Sequence, residues 1–480
     1  MKFTNKENVA KVEAYIEKYK DQIIADLIEL AKIPSISSEK TAEDEPYGKE
    51  CARMLEESVG FFKKHGFDLD INRKCGYGTA AYGDGDKTLC LLGHADVVPV
   101  ENQEWTLCKP FEPVIIDNNI VGRGCYDDKA GLVEIVYAMR IIREMGVKLN
   151  NKVLMYVGTS EEQGMYDLKE FVKNEKMPDV SIVVDGAYPY SSGERGRTAA
   201  YIKSNRKFKK ILDITGGMAP NIILENVKAK IEYDEKLYNE ILEKAKSNER
   251  ITVSLEDGNI CIVATGISKH GADPDGSLNA GYVLVKFLGE CENTDKDDKA
   301  ILADMEDILE HYFGESFHIE AYDEVFNKLT CSNGIIRVED GCPKMSLDIR
   351  YGTTIEPETI EKNLKNYSKF WDIPEISSSS GFVIPEDFPV CTSLLDAFKF
   401  ISGIQDAKSI KMVGCTYSRL LKNSLSVGIV ARYVEKRLKQ PMGHGNAHQP
   451  DESMCLNSFF ESLKLLTCYI IEADDAMTKI

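Results

Sequence analysis

Residues 88–99 read Thr-Leu-Cys-Leu-Leu-Gly-His-Ala-Asp-Val-Val-Pro, a short apolar run that ends in a histidine and an aspartate. The apolar, β-rich half of this stretch predicts a buried strand. Residues 153–157 (VLMYV) and 181–184 (SIVV) repeat the same design. Helical patterns over residues 128–145 and 167–176 separate these runs, as a parallel α/β sheet requires. The three runs therefore predict strands of one mostly parallel sheet.

Polar side chains follow each of the three predicted strands. They are His94 and Asp96, Glu161 and Glu162, and Asp185. In an open α/β sheet the ligand crevice lies outside the carboxyl ends of the strands. We therefore expect these side chains to lie close together at one edge of the sheet.

The chain before residue 88 is predicted to form two helices and a hairpin. An amphipathic helix is expected before Pro34, and a second helix from about Tyr47 to His65. Residues 78–94 contain two short apolar runs around an Asp-Gly turn. This pattern predicts a β-hairpin that leads into the buried strand.

At 480 residues the chain exceeds the usual size of a single hydrophobic core. From about residue 191 the pattern changes to a separate alternation of strands and helices, and long helices return after Pro385. We therefore predict an α/β domain made of residues 1–190 and 386–480, in which helices flank a central sheet. Residues 191–385 are predicted to form a large inserted α+β domain.

The composition is that of an acidic globular protein, with a formal net charge of -19 and 43% hydrophobic residues. Because no Lys/Arg-rich run offsets this charge, neither nucleic acid nor an anionic membrane is an expected partner. The sequence contains no apolar segment of signal-peptide type and no stretch of ~18 uncharged apolar residues. Thirteen cysteines without a C-x-x-C pair suit reduced thiols, and we expect a cytoplasmic location.

The residues after the strands, together with two more distant ones, form a candidate metal-binding set. Its members are His94, Asp127, Glu162, Asp185 and His448. Imidazole nitrogen and carboxylate oxygen without thiolate suit zinc, manganese or cobalt. A set this rich in carboxylates can hold two ions if one carboxylate bridges them.

Two aspartate positions have predicted supporting roles. Asp96 follows His94 by two residues and is expected to orient that imidazole. In GRGCYDDKAG (122–131) a helix begins near Asp128, which we predict to be its N-cap. Asp127 would then point into the crevice as a candidate bridge between ions.

Glu161 and Glu162 are adjacent carboxylates directly after a buried strand. Because neighbouring side chains alternate in direction, the two need not compete for one role. One of them can bind metal while the other acts as general base on a metal-held water.

The glycine-containing loop GHGNAHQPDES (443–453) carries two histidines. His448 is the candidate ligand and His444 is its competitor, and the spacing leaves both open. Residues 450–452 are predicted to mark the start of an amphipathic final helix.

Five ordered motifs resemble a known metallopeptidase family. They are GHADVVP (93–99), GRGCYDDKAG (122–131), TSEEQG (159–164), VVDGAYP (183–189) and AHQPDE (447–452). In order and spacing they are similar to the two-metal aminoacylase, carboxypeptidase and dipeptidase family, and within it to the bacterial dipeptidase V branch. The resemblance extends from about Ile33 almost to the C-terminus.

This resemblance implies two divalent cations per chain, Zn²⁺ first, with Mn²⁺ or Co²⁺ as alternatives. The implied ligands are His94 and Asp185 on one ion, Glu162 and His448 on the other, and Asp127 as the bridge. Glu161 is expected to be the general base, and Asp96 the carboxylate that orients the imidazole. A cis peptide bond is expected between Asp127 and Asp128.

The inserted domain resembles the lid domain of the family, through GGMAPN (216–221) and GISKHGADPDGSLNAG (266–281). The residues implied to contact substrate are Asn221, His270, Arg350, Thr416 and Arg419. The histidine is expected to reach the developing oxyanion, and the last three residues to hold the substrate carboxylate. Ala130 and Cys415 stand in segments where relatives are richer in glycine. This difference affects the expected shape of the pocket for the substrate carboxylate.

The predicted activity is hydrolysis of dipeptides with a free N-terminus. In this family an aspartate at the position of Asp185 is typical of such peptidases, whereas glutamate accompanies carboxypeptidases and deacylases. The implied mechanism uses a metal-bridging water whose proton Glu161 accepts. The large insert, which in the dipeptidase V branch imitates the lid of a second subunit, favours a monomer. Two alternatives remain open: an N-acyl-amino-acid deacylase of the aminoacylase or desuccinylase type, and a catalytically silent metal-binding protein on the same scaffold.

Overall fold

A computed structural model describes residues 3–412 and 414–480. The chain forms two compact units. The first comprises Met1–Gly193 and Val383–Ile480, and the second comprises Glu194–Phe382.

The first part of the chain folds into eight strands and four helices. In chain order they are α1 (Lys6–Ala31), α2 (Lys49–Lys64), β1 (Asp70–Asn72), β2 (Tyr77–Tyr82), β3 (Thr88–His94), β4 (Val114–Ile116), β5 (Asn119–Val121), α3 (Lys129–Glu144), β6 (Lys152–Gly158), α4 (Tyr166–Asn174), β7 (Val180–Val184) and β8 (Ser191–Glu194).

The middle part of the chain is richer in strands. Its elements are β9 (Gly196–Ser204), β10 (Ile211–Gly216), β11 (Asn226–Glu232), α5 (Glu235–Ala245), β12 (Ile251–Glu256), β13 (Asn259–Thr265), α6 (Ala280–Gly289), α7 (Lys296–Glu310), β14 (Tyr322–Asp323), β15 (Asn327–Lys328), β16 (Thr330–Ser332), β17 (Ile336–Glu339), β18 (Cys342–Tyr351), α8 (Pro357–Lys365), β19 (Trp371–Ser379) and β20 (Phe382–Val383). The last part contains α9 (Pro389–Ser402), β21 (Ile410–Met412), β22 (Ser424–Val427), β23 (Ser453–Cys455) and α10 (Leu456–Met477).

The main sheet of the first unit has the strand order β1-β2-β6-β3-β7-β22-β8-β20, with β21 beside β8. Its four central strands, β6, β3, β7 and β22, are parallel. β1 and β2 are antiparallel additions on one side, and β8 pairs antiparallel with β22 on the other. Leu89–Leu92 of β3 are fully buried, and α3 packs against this strand and against α1 and α10. The predicted α/β class is confirmed, with parallel pairing confined to the centre of the sheet.

The predicted hairpin at residues 78–94 is wrong. β2 and β3 share the sheet, but β6 lies between them and pairs antiparallel with β2 and parallel with β3. The Asp-Gly turn is a local signal, whereas the apolar β6 supplies a buried partner for both strands from a distant part of the chain. Strand pairing over this longer range therefore overrides the local pattern.

The second unit is built on an antiparallel sheet with the order β12-β13-β11-β10-β17-β18-β9-β19, with β16 beside β18. Helices α5, α6 and α8 contact strands of this sheet, and α7 packs against α6. Their apolar side chains form a buried core with the sheet. This is the predicted α+β arrangement.

Of the residues that the structure describes, none forms a helix long and apolar enough to span a membrane. All thirteen cysteines are free thiols, and ten of them are buried.

Asp26 on α1 joins three helices of the first unit. Its Oδ2 accepts a hydrogen bond of 2.7 Å from the Tyr137 hydroxyl on α3 and lies 2.9 Å from Nε2 of His65, just after α2. Its Oδ1 lies 2.5 Å from Nζ of Lys64. Burial alone would raise the pKa of Asp26, but these contacts hold it below its ordinary value. The ionised carboxylate therefore stabilises the folded state.

Replacing this carboxylate (Asp26→Ala) should lower the free energy of unfolding by about 3 kcal/mol, because it leaves buried donors without their charged acceptor. Since folding lowers the carboxyl pKa, the stabilisation is present above about pH 4 and is lost as the pH falls below it. Urea denaturation near neutral pH and again at about pH 3 measures both effects. The exposed Asp21 on the same helix provides the matched control. An equal loss in Asp21→Ala would contradict the role given to Asp26.

Candidate metal centre

The carboxyl ends of β3, β6 and β7 lie side by side because these are adjacent parallel strands. His94, the last residue of β3, pairs in register with Gly158, the last residue of β6. One potential ligand atom from each of His94, Glu161 and Asp185 lies within 4.8 Å of the others, and the same holds for His94, Asp127 and Glu162. The polar residues that follow the three strands therefore meet at one edge of the sheet.

Asp127 lies between the two histidines predicted as ligands. Its Oδ1 is 3.2 Å from Nε2 of His94, and its Oδ2 is 3.0 Å from Nε2 of His448. His448 Nε2 is also 3.0 Å from Oε1 of Glu162. Asp185 Oδ2 lies 3.9 Å from His94 Nε2. The five residues of the predicted metal-binding set form one cluster, in which a single carboxylate faces both imidazoles.

The imidazole of His94 is held by Asp96. Its Nδ1 lies 3.0 Å from the backbone oxygen of Asp96 and 3.4 Å from the Oδ1 of the same residue. With a proton on Nδ1 donated to Asp96, the lone pair of the neutral ring is on Nε2 and points toward Asp127. The ring is therefore oriented as a metal ligand would be.

Asp128 has a role other than the predicted one. It occupies the predicted N-cap position of α3, but its side chain makes no capping hydrogen bond to that helix among the described residues. Its Oδ2 instead accepts the backbone N–H of His94 at 3.0 Å. A Cβ atom on Gly131, in the first turn of α3, would collide with the Asp128 carboxylate. The bond between Asp127 and Asp128 is cis, as the resemblance implied.

Asp96 also fixes the backbone that carries the two adjacent glutamates. The N–H groups of Glu161 and Glu162 donate to its two carboxylate oxygens, each at 3.1 Å. Asp96 is fully buried and Glu161 is only 8% exposed. One aspartate therefore contacts both the imidazole and the glutamate pair, a double role that the sequence did not predict.

The structure separates the two histidines of the loop at residues 443–453. His444 Nδ1 lies 2.9 Å from Oδ2 of Asp451, whose carboxylate also accepts the N–H and the hydroxyl of Thr106. His444 therefore belongs to the anchor of the loop. His448 belongs to the cluster, where its side chain remains 56% exposed.

The prediction that residues 450–452 begin the final helix is wrong. Strand β23 intervenes, and α10 begins only at Leu456. The proline and the two acidic residues imitate a helix start in sequence, but both acidic side chains are buried in hydrogen bonds to other segments.

Glu452 is a supporting residue that sequence reasoning missed. It is fully buried, and its Oε1 accepts the N–H groups of Tyr126 at 3.0 Å and Asp127 at 3.1 Å. Its Oε2 pairs with the buried guanidinium of Arg123 at 2.5 Å. These contacts fix the Asp127 segment to the loop of His448. The only sequence signal for Glu452 was its position four residues after His448, within the motif AHQPDE (447–452).

The cluster concentrates negative charge in a poorly solvated place. Burial, reinforced by neighbouring carboxylates, raises the pKa of Glu161 and Asp185 well above the ordinary value and raises that of Glu162. For Asp127, burial is outweighed by its contacts with His448 and with the neighbouring imidazole of His94, which lower its pKa. The contacts with Asp127 and Glu162 raise the pKa of His448 to about 11. Added positive charge would therefore stabilise the cluster.

The donor set fits divalent cations. Imidazole nitrogens and carboxylate oxygens are ligands of zinc, manganese and cobalt, and neither candidate ligand group contains a cysteine. Within the described part of the chain, His94 Nε2 and Glu161 Oε1 are buried without a hydrogen-bond partner. Such atoms are unfavourable in a folded protein unless something satisfies them. A cation beside the imidazole would do so and would also offset the carboxylate charge.

The residues predicted to hold a substrate carboxylate lie in different units. Thr416 and Arg419 are in the first unit, next to and within a short 3-10 turn (Tyr417–Leu420). Thr416 is buried, and its Oγ1 lies 3.1 Å from the hydroxyl of Ser426. Arg350 is in the second unit, where its Nε donates to the buried Asp348 at 2.9 Å. Their contact with substrate stays a prediction.

Asn221 and His270 also lie in the second unit, with the Asn221 amide nitrogen 3.4 Å from Nε2 of His270. Nδ1 of His270 accepts the Ala272 N–H at 3.1 Å, so a neutral ring carries its proton on Nε2. Partial burial and the positive charge of Arg350 lower the pKa of His270, which favours this neutral form. A role as donor to an oxyanion stays a prediction.

Comparison with known proteins gives a match to a family model, peptidase family M20/M25/M40, over residues 90–472. The chain is 27% identical over 473 residues to the putative dipeptidase YtjP of Bacillus subtilis, covering 96% of this chain and 99% of that protein. It is 27% identical over 427 residues to the Beta-Ala-Xaa dipeptidase of Lactobacillus delbrueckii, covering 86% and 89% of the two chains.

Solved structures share the fold at low sequence identity. Human carnosine dipeptidase 1 superposes with a TM-score of 0.58 at 14% identity, covering 97% of this chain and 99% of that one. The di-peptidase Dug1p of Saccharomyces cerevisiae superposes with a TM-score of 0.56 at 13% identity, covering 97% and 98%. The family model spans most of the chain and includes the whole cluster of histidines and carboxylates. The chain belongs to peptidase family M20/M25/M40 and is a metal-dependent peptide hydrolase.

Proposed function

We propose that this protein is a dinuclear metal-dependent dipeptidase that cleaves dipeptides with a free N-terminus. The observation that carries the proposal is the position of Asp127, whose two carboxylate oxygens face two different imidazoles at 3.2 and 3.0 Å. A carboxylate placed in this way suits a bridge between two cations. His94 and Asp185 would hold one ion, and Glu162 and His448 the other.

Divalent cations held by these residues would polarise the scissile carbonyl and lower the pKa of a bound water molecule. Glu161 would accept the proton of that water at its unpartnered Oε1 and return it to the leaving amine. Burial raises the pKa of Glu161, which suits a group that must both take up and release a proton. Asp96 would keep this side chain in place through its hydrogen bond to the Glu161 N–H.

The proposed substrate class has separate support. Two relatives that match most of the chain carry dipeptidase in their names, one of them a Beta-Ala-Xaa dipeptidase. Asp185 stands where, in this family, aspartate accompanies peptidases that need a free N-terminus. Zn²⁺ is the proposed metal, with Mn²⁺ or Co²⁺ as alternatives, because the ligands are nitrogen and oxygen only.

Removing the proposed base by Glu161→Ala should lower kcat by about 10² to 10⁴-fold, because proton transfer from water loses its acceptor. Metal content should stay at the wild-type level, because Glu161 is not one of the proposed ligands. Steady-state kinetics together with elemental analysis test both statements. Undiminished turnover would remove Glu161 from its role.

The two loop histidines form a matched pair for metal binding. His448→Ala should reduce the metal content measured by elemental analysis, because it removes a proposed ligand of one ion. His444→Ala should retain the wild-type metal content, because His444 contacts Asp451 instead of the cluster. Equal metal loss in both variants would mean that loop integrity, rather than ligation by His448, governs metal binding.

A panel of dipeptides tests the substrate class. Free dipeptides should be hydrolysed by the metal-loaded enzyme, and the same dipeptides with an acetylated N-terminus should not. Release of free amino acids, followed by chromatography, measures both. Hydrolysis of the acetylated forms alone would refute the dipeptidase assignment and favour a deacylase.

A further inference from the structure

The backbone between β6 and α4 is held by two buried carboxylates. Asp96 accepts the N–H groups of both adjacent glutamates, as described above. The N–H groups of the two preceding residues, Thr159 and Ser160, donate to Oδ2 of Asp167 at 2.6 and 3.0 Å. Four successive N–H groups therefore depend on this pair of aspartates. Asp167 has no part in the metal cluster or in the proposed chemistry.

Asp167 sits in the first turn of α4 and is fully buried. Its Oδ1 accepts the N–H of Leu168 at 2.7 Å, and its Oδ2 accepts the Tyr417 hydroxyl at 2.6 Å. One carboxylate thus receives hydrogen bonds from the glutamate segment, from its own helix and from a residue 250 positions away in sequence. Removing it would leave several buried donors without a partner, which is costly.

Tyr417 carries this connection to a second functional segment. It follows Thr416 directly and precedes Arg419 by two residues, and these two are the predicted carboxylate-binding residues of the first unit. Its buried ring lies edge-on against the imidazole of His94, with ring centroids 6.4 Å apart, and against Tyr156 at 5.6 Å. Tyr417 therefore contacts one proposed metal ligand while its hydroxyl reaches Asp167.

The last residue of β6 leaves room for this contact. A Cβ atom on Gly158 would collide with both the Tyr417 hydroxyl and the Asp167 carboxylate. Hydroxyl and carboxylate thus lie directly against the strand end from which the glutamate segment departs. The hydrogen bond between them is part of a closely packed junction.

We propose that Asp167 and Tyr417 are positioning residues that couple the segment of the general base to the segment of Thr416 and Arg419. Through the Tyr417 hydroxyl, the second segment would set the direction in which Glu161 approaches the reacting water. The inference rests on the proposed function, because it takes Glu161 as the base. It extends that function to two residues outside the proposed ligands and the base.

The primary test is Tyr417→Phe in the metal-loaded enzyme, because phenylalanine retains the ring packing and removes only the hydroxyl. We expect kcat on a free dipeptide to fall at least about tenfold, because a small displacement of a catalytic group is costly, while KM and metal content stay near wild type. In a Glu161→Asp background, where the base is already displaced, the same substitution should cost less than about threefold. If Tyr417 had a merely structural role, Tyr417→Phe would lower kcat by the same factor in both backgrounds.

Two matched controls separate positioning from general stability. Tyr469→Phe removes a buried hydroxyl that donates to the backbone oxygen of Pro189 at 2.9 Å. Asp474→Asn alters a buried carboxylate that accepts the N–H groups of Asn150 and Asn151, at the opposite end of β6. Both should lower the melting temperature and leave kcat unchanged. Asp167→Asn, the counterpart of the second control, should lower kcat.

An unchanged kcat in Tyr417→Phe, or an equal loss of kcat in Tyr469→Phe, would overturn the inference. So would full additivity of Tyr417→Phe and Glu161→Asp. These outcomes differ from failure of the proposed function, which would be marked by undiminished turnover in Glu161→Ala or by absence of dipeptide hydrolysis in the wild type.

Discussion

Mutual repulsion among carboxylates is the constraint on which the rest of this structure depends. Asp127, Glu161, Glu162 and Asp185 meet around two imidazoles at one edge of the parallel strands. Burial and like charge both oppose this arrangement, and apolar contacts cannot direct a charged group toward a point. Polar contacts with the surrounding protein must therefore hold these side chains in place, and cations are needed to balance their negative charge.

Those polar contacts act mainly through backbone N–H groups. Asp96 accepts the N–H groups of both glutamates, Asp128 accepts that of His94, and Glu452 accepts that of Asp127. Each supporting carboxylate is itself fully buried. The result is an outer layer of acidic residues that fixes an inner layer of acidic residues. Metal binding in such a site would complete a charge balance for which the folded chain is already arranged.

The sequence predicted the inner layer better than the outer one. His94, Glu162 and Asp185 could be found because each follows an apolar run, and adjacent parallel strands bring such ends together. Asp128 and Glu452 resembled ordinary helix-start residues, because their true partners lie 34 and 325 positions away in sequence. The hairpin failed for the same reason, since β6 pairs with both predicted partners from a distant position. Local patterns identify segments, and only folding reveals which segments meet.

Gly131 illustrates how this arrangement of carboxylates restricts the residue type at a single position. In an exposed helix, alanine at such a site would be favoured over glycine by about 1 kcal/mol. Here the added methyl group would press on the carboxylate that holds the His94 backbone. Because this collision would lower stability as well as displace that carboxylate, thermal robustness and turnover both require glycine at this residue. Directed evolution toward a more stable enzyme would have to gain stability at other positions and keep glycine at this position of α3.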